Sequence, residues 1–170
     1  ALVSITTFDP TIDAGVEASN GNPDTFRIAR NGDNIEISVN GTLVLTAPFG
    51  AVPLLTFNGS TDDDTLVIDF SGGNPIPAAG LTFNGGGPGD FDTLTVNGSA
   101  GDDALALSVT DTDEGSFTFN SGPVVYFTDI TSFAFNGSAQ VIGDSFVVTG
   151  NGLINGTLTP SKTVLGDGVL

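Results

Sequence analysis

Apolar and polar residues alternate along most of this chain with a period of two, the pattern of strands that bury one face. It is cleanest in "TFRIARNGDNIEISVNGTLVLTA", residues 25–47. There Phe26 and Ile28, then Ile35, Ile37 and Val39, then Leu43 and Leu45 alternate with polar residues around "RNGDN" and "VNGT". Asn-Gly between alternating apolar runs is a strong hairpin signal, because both turn residues must take positive φ. The pattern predicts a three-stranded antiparallel meander over 24–48. Upstream, "ALVSITTF" predicts a strand over 2–8 that Asp9-Pro10 cuts off, and residues 11–24 read as a polar connector.

From about Leu54 the pattern becomes periodic on a longer scale. Phe57, Phe70, Phe83 and Val96 fall 13 residues apart, and after two weak rows at Val109 and Gly122 the count lands again on Phe135 and Val148. Thirteen residues suit one strand of five or six plus one turn. The predicted strands are 54–58, 65–70, 80–84, 93–97, 104–109, 116–120, 124–127, 131–136, 144–149 and 153–158, with Gly, Asp, Asn and Pro gathered between them. No window reads as an amphipathic helix, so the expected class is all-β. The regular period favours a β-solenoid, a parallel β-helix-like repeat over 49–170 that follows the meander, and a β-sandwich is the alternative. The chain is read as one extracellular unit, 1–170, in which 1–23 is the N-terminal strand and connector.

Composition narrows the partners. The formal charge is −17, and of twenty acids only Glu17, Glu36 and Glu114 are glutamates. Such a bias to Asp fits turns rather than helices. Arg27, Arg30 and Lys162 are the only cations, too few to neutralise a phosphate backbone, so no nucleic-acid partner is expected. No apolar run reaches the roughly 20 residues of a membrane-spanning helix, so no membrane insertion is expected. Cys, His, Trp and Met are absent, which removes disulfides, thiol nucleophiles and the imidazole base. The first residue is Ala, consistent with a removed signal peptide or with a piece of a longer chain. Together these features suggest an extracellular or cell-surface location.

The phrase Asn-Gly-Ser/Thr carries the candidate chemistry. "TFNGS", "TVNGS" and "AFNGS" place Asn58, Asn97 and Asn136 at intervals of 39 residues, and Asn40 and Asn155 sit in Asn-Gly-Thr. All five are candidate glycosylation acceptors. The same residues also suit tight turns, since Asn tolerates and Gly favours left-handed backbone. A third reading is metal binding. "GSAGDDALA", residues 98–106, resembles the calcium-binding nonapeptide of repeats-in-toxin proteins through Gly98, Gly101, Asp103 and Leu105, and "GSTDDDTLV" matches through Gly59, Asp64 and Leu66. Hard cations take several oxygen ligands, so Asp62, Asp64, Asp90, Asp92, Asp102 and Asp103, with Asp63 beside them, are the candidate calcium ligands if their turns stack on one edge. No cofactor is otherwise required.

Catalysis is not expected. Without His a Ser-His-Asp triad cannot form, and neither a Gly-x-Ser-x-Gly elbow nor a Walker loop occurs. A lyase acting on acidic sugars needs cations that this chain lacks, and sugar subsites usually show exposed aromatics, of which Tyr126 is the sole non-Phe example.

The stretch "DTFRIARNGDNIEISVNGTLVLTAP" and the following "LTFNGSTDDDTLVIDFSGGNPIPAAGLTFNGGGPGDFDTLTVNGSAGDD", residues 24–103, resembles repeat units of very large secreted surface proteins of environmental bacteria. The resemblance implies an extracellular β-rich repeat module without catalysis. The expected function is a self-assembling structural subunit of an extracellular fibre, sheath or surface layer, its copies joined through the N-terminal strand 2–8. The alternative is a calcium-stabilised adhesion or binding module.

Overall fold

The computed structural model describes residues 11–14, 22–87, 89–137 and 144–150. Thirteen strands run through them in chain order: β1 (Thr11–Asp13), β2 (Thr25–Asn31), β3 (Asn34–Val39), β4 (Thr42–Pro48), β5 (Leu55–Asn58), β6 (Thr65–Asp69), β7 (Leu81–Asn84), β8 (Thr93–Asn97), β9 (Ala104–Val109), β10 (Gly115–Phe119), β11 (Val124–Thr128), β12 (Ser132–Asn136) and β13 (Ser145–Gly150). The molecule is all-β, and nine of the ten strands predicted after residue 53 form with boundaries shifted by at most two residues. The tenth, 153–158, and the N-terminal strand 2–8 lie outside the described residues, as does Asn155.

Two mixed sheets form the layers. One has seven strands in the order β1-β5-β7-β11-β10-β9-β13, the other six in the order β12-β8-β6-β2-β3-β4. Alternation points one side of every strand inward, so a single core fills the space between the layers. Phe57 pairs in parallel with Phe83, and Phe83 with Phe127, in one sheet. Facing them, Ile28, Ile68, Val96 and Phe135 line up across the other. Phe26 meets both Phe57 and Phe83 at ring separations of 5.7 and 6.4 Å, which ties the layers together.

The two layers fit the sandwich alternative, and the meander forms as β2-β3-β4. Between β5 and β8 the chain crosses from sheet to sheet with each strand and stacks in parallel, 26 residues per round trip at Phe57 and Phe83. Uniform stacking stops there, because β9, β10 and β11 run antiparallel within one sheet. That hairpin holds the two weak rows of the 13-residue count, Val109 and Gly122. Phe70 departs from the count as well: it lies just past β6 and stacks on Phe119 at 3.8 Å. The supposed connector also yields a strand, β1, because Ile12 reaches the core beside Phe57.

The strand pairings repeat themselves after 79 or 80 residues. Ile37 beside Leu45 and Ile35 beside Ala47 become Phe117 beside Val125 and Gly115 beside Phe127. Phe26 beside Val39 becomes Leu105 beside Phe119, and Phe26 beside Leu66 becomes Leu105 beside Phe146. Thus β2, β3, β4 and β6 correspond to β9, β10, β11 and β13, with the roles of the two sheets exchanged. The turns agree. Asn40 and Asn120 both take φ of 50°. Each closes its hairpin by accepting an amide hydrogen on Oδ1, from Thr25 at 2.9 Å and from Ala104 at 2.7 Å.

Candidate functional site in the stacked turns

Four sheet-to-sheet connections, those after β5, β7, β8 and β12, begin with Asn-Gly at the end of a strand and close with an Asp just before the next one. In parallel strands the Asn side chains fall in register and bond along the stack. Asn84 Nδ2 donates to Asn58 Oδ1 at 2.7 Å, Thr128 Oγ1 donates to Asn84 Oδ1 at 3.2 Å, and Asn136 Nδ2 donates to Asn97 Oδ1 at 2.9 Å. The phrase repeated every 39 residues therefore belongs to two ladders, Asn58 in one sheet and Asn97 with Asn136 in the other. Asn40 is engaged too, its Nδ2 donating to Asp24 Oδ1 at 2.7 Å. A glycan on Asn40 or Asn136 would take one of the two hydrogens on a nitrogen that these bonds use.

The glycine after Asn58, Asn84, Asn97 and Asn136 is required by close approach. A Cβ on Gly59 would overlap the carbonyl oxygen of Gly85, and one on Gly98 would overlap the Asp103 carboxylate. These turns are thus backbone laid on backbone.

The closing aspartates form a second kind of ladder. The Asp24 N–H donates to Asp64 Oδ1 at 2.7 Å, and the Asp64 N–H donates to Asp92 Oδ1 at 2.8 Å. At the other edge of the layers the Asp103 N–H donates to Asp144 Oδ1 at 3.0 Å. The second carboxylate oxygen folds back on its own turn. Asp64 Oδ2 accepts the Ser60 N–H at 2.5 Å, and Asp103 Oδ2 accepts the Ser99 N–H at 2.8 Å while Ser99 Oγ donates to Asp103 Oδ1 at 2.7 Å. Asp24, Asp64, Asp92 and Asp103 are all buried. A buried carboxylate costs free energy unless donors surround it, and backbone amides are the donors here.

Asp92 departs from this rule for a local reason. Asn58 and Asp64, like Asn97 and Asp103, are six residues apart, whereas Asn84 and Asp92 are eight apart. The longer turn puts Gly86 at φ 141° where Ser60 and Ser99 stand in the shorter ones, and Asp92 Oδ2 is left buried with no hydrogen-bond partner. Burial pushes the Asp92 carboxyl up to about 7, opposed by the Asp64 amide and reinforced by the charges of Asp90 and Asp64. Burial also raises Asp64, with the Asp24 and Ser60 amides working against it. For Asp69, burial acts upward, but the Ser71 hydroxyl and amide and the Arg27 guanidinium outweigh it and hold the carboxyl below its ordinary range. Arg27 Nη2 lies 2.5 Å from Asp69 Oδ2.

The candidate calcium ligands are not assembled on one edge. Asp62, Asp63, Asp64, Asp90 and Asp92 lie in two connections that stack, 59–64 and 85–92, where the Phe91 N–H donates to Asp63 Oδ1 at 2.9 Å and the Gly87 N–H donates to Asp90 Oδ2 at 3.2 Å. Asp102 and Asp103 lie beyond β8, a five-residue strand that separates the two edges by about 16 Å. Among the described residues no three acidic side chains converge as metal ligands. Asp64 and Asp103 instead spend both oxygens on protein donors, and Asp102 is exposed. A shallow groove on the outer face of β9, β10, β11 and β13 is lined by Ala106, Ser108, Ser116, Thr118, Val147 and Thr149 among others, with no ionisable group.

Sequence reasoning missed the structural use of Asp24, Asn84, Asn120 and Asp144. The signal for the first was present: "DTF", "DTL" and "DTL" at 24, 64 and 92 mark three strands that stand side by side as β2, β6 and β8. No helix among the described residues is long and apolar enough to cross a membrane. No family model matches the chain, and no curated protein or solved structure matches it either.

Proposed function

We propose that this chain is a non-catalytic structural module of an extracellular fibre, sheath or surface layer, assembling with copies of itself. The observation that carries this reading is the use made of its polar residues. Side chains that would serve a reactive or ligand-binding site are committed to the protein itself: Asp64, Asn58, Asn97 and Asn136 to bonds between one turn of the chain and the next, and Asp103 to donors of its own turn. Such ladders resist extension along the stack and expose no thiol or imidazole to chemical attack. The scarcity of cations argues against nucleic acid as a partner, and the resemblance to secreted surface repeats supports the location.

A second reading, a calcium-stabilised adhesion module, is favoured by the crowding of Asp62, Asp63 and Asp90 in two stacked turns. Electron microscopy of the purified chain with and without a calcium chelator tests both. Regular filaments or sheets that survive chelation are expected. Filaments that dissolve in chelator favour the calcium reading, and dispersed monomers in both conditions refute self-assembly.

A further inference from the structure

Among the described residues β4 pairs with β3 alone, leaving its other edge open. Leu43 and Val44 are 56 and 37 % exposed, although Leu45 and Ala47 on the same strand already touch the core. An open edge with apolar side chains is a template for another strand. Its counterpart 80 residues on, β11, is not open: β7 lies against it in parallel, with Leu81 beside Val125 and Phe83 beside Phe127. Those two positions correspond to Leu45 and Ala47.

The chain path identifies what belongs at the vacant position. In the second unit β7 leads into β8, β8 pairs with β12, and β12 follows β11. In the first unit β1 pairs with β5 in parallel, and β5 follows β4. Ile12 beside Phe57 thus corresponds to Val96 beside Phe135. The counterpart of β7 must then be the segment that leads into β1. We propose that residues 2–6, within the predicted strand 2–8 of the same chain, dock along β4 as a parallel strand, with Val3 beside Leu45 and Ile5 beside Ala47. Val3 and Ile5 are the one pair two residues apart in this segment that is aliphatic at both positions. Residues 7–10 remain to cross between the sheets, within the span from three residues (129–131) to eleven (70–80) that other crossings use.

This inference does not rest on the proposed function, and it assigns the N-terminal strand to the chain's own sheet rather than to a joint between copies. The chain has no cysteine, so a designed pair reports cleanly. Ser4 and Thr46 would stand opposite each other on the outer face, at about 4.8 Å between neighbouring strands, inside the Cα separation a disulfide accepts. The full chain carrying Ser4→Cys and Thr46→Cys is oxidised and run without reductant, beside a control pairing Ser4→Cys with Thr95→Cys. The expected result is an intramolecular disulfide in most of the Ser4/Thr46 protein, running as a compact monomer, and none in the control. Disulfide-linked dimers or ladders would show that a second copy fills the edge and would overturn the proposal. So would free thiols in a chain whose circular dichroism shows it folded. Adding Ile5→Asp to the pair should cut the yield at least tenfold, and an unchanged yield counts against the register.

Discussion

Replacing Asp64 with alanine separates a structural carboxylate from a metal ligand. Its two oxygens accept the Asp24 and Ser60 amides at 2.7 and 2.5 Å in a fully buried position. Each buried amide left without an acceptor costs about 1–3 kcal/mol. Against that stands relief of the carboxylate's own burial, the cause of its raised pKa. The net loss is expected to be about 2–4 kcal/mol, a large share of the roughly 5–15 kcal/mol that holds a typical domain. Urea unfolding followed by circular dichroism measures it, and a slope of roughly 1–3 kcal/mol per molar turns the loss into a midpoint shift of about 1–2 M. Asp64→Asn retains one acceptor but sets an amide donor against a backbone donor, so it should lose at least half as much. Asp102→Ala, at an exposed aspartate in the turn at the other edge, should stay within about 0.5 kcal/mol of the parent. A fully stable Asp64→Ala protein would refute the ladder argument, and a loss that appears only when calcium is present would mean that an ion, not the backbone, needs this carboxylate.

Other substitutions test the layers and the turns. Phe83→Ala removes a ring with no exposed surface that stands between Phe57 and Phe127, and should cost about 3–5 kcal/mol in the same assay. Gly59→Ala forces a methyl group onto the Gly85 carbonyl and should destabilise by roughly 2–4 kcal/mol. Gly50→Ala, with nothing within 4 Å of the added carbon, should be neutral or stabilising by up to about 1 kcal/mol. Because Asp92 is raised to about 7 from an ordinary 3.8, its stabilising effect is complete below the unfolded value and is lost as pH rises to about 7. The loss reaches at most about 4 kcal/mol. Unfolding free energies measured from pH 4 to 8 should therefore fall less in Asp92→Asn than in the parent chain, and parallel curves would refute the assignment.

Strand existence was legible in the sequence because period-two alternation and Asn-Gly turns are local signals, and they placed β2 to β4 and the strands after residue 53. The neighbour of each strand was not legible. Counting by thirteens treats every row alike, but the count cannot see that β9, β10 and β11 stay in one sheet, which moves Phe135 to the layer opposite Phe83. The 80-residue correspondence was hidden for a related reason. It keeps Asp24, Asn40 and Asp64 as Asp103, Asn120 and Asp144, yet between them it preserves only inward apolar character, as Phe26 and Ile28 become Leu105 and Leu107. The structural use of the acids was not legible either. An Asp bound for solvent and an Asp bound for a stack of amides look alike in a turn, and only the following Thr and strand distinguish Asp64 and Asp92 from Asp62 and Asp90.

That distinction bears on how such a chain fixes its register. Alternation forbids a slip of one residue, which would turn every inward side chain outward. A slip of two residues keeps the faces correct, and Phe, Leu, Ile and Val in the core are similar enough to tolerate it. The turns do not tolerate it. Moving β6 two residues past β8 would take the Asp64 amide off Asp92, and moving β5 two residues past β7 would bring Cβ-bearing residues to the place where Gly59 meets Gly85. Hydrophobic burial therefore selects the face of each strand, and the Asp and Gly ladders select its height in the stack. Buried carboxylates that accept backbone hydrogens also need no counter-cation, so Asp64 and Asp103 can stay in place in a chain with only three basic residues.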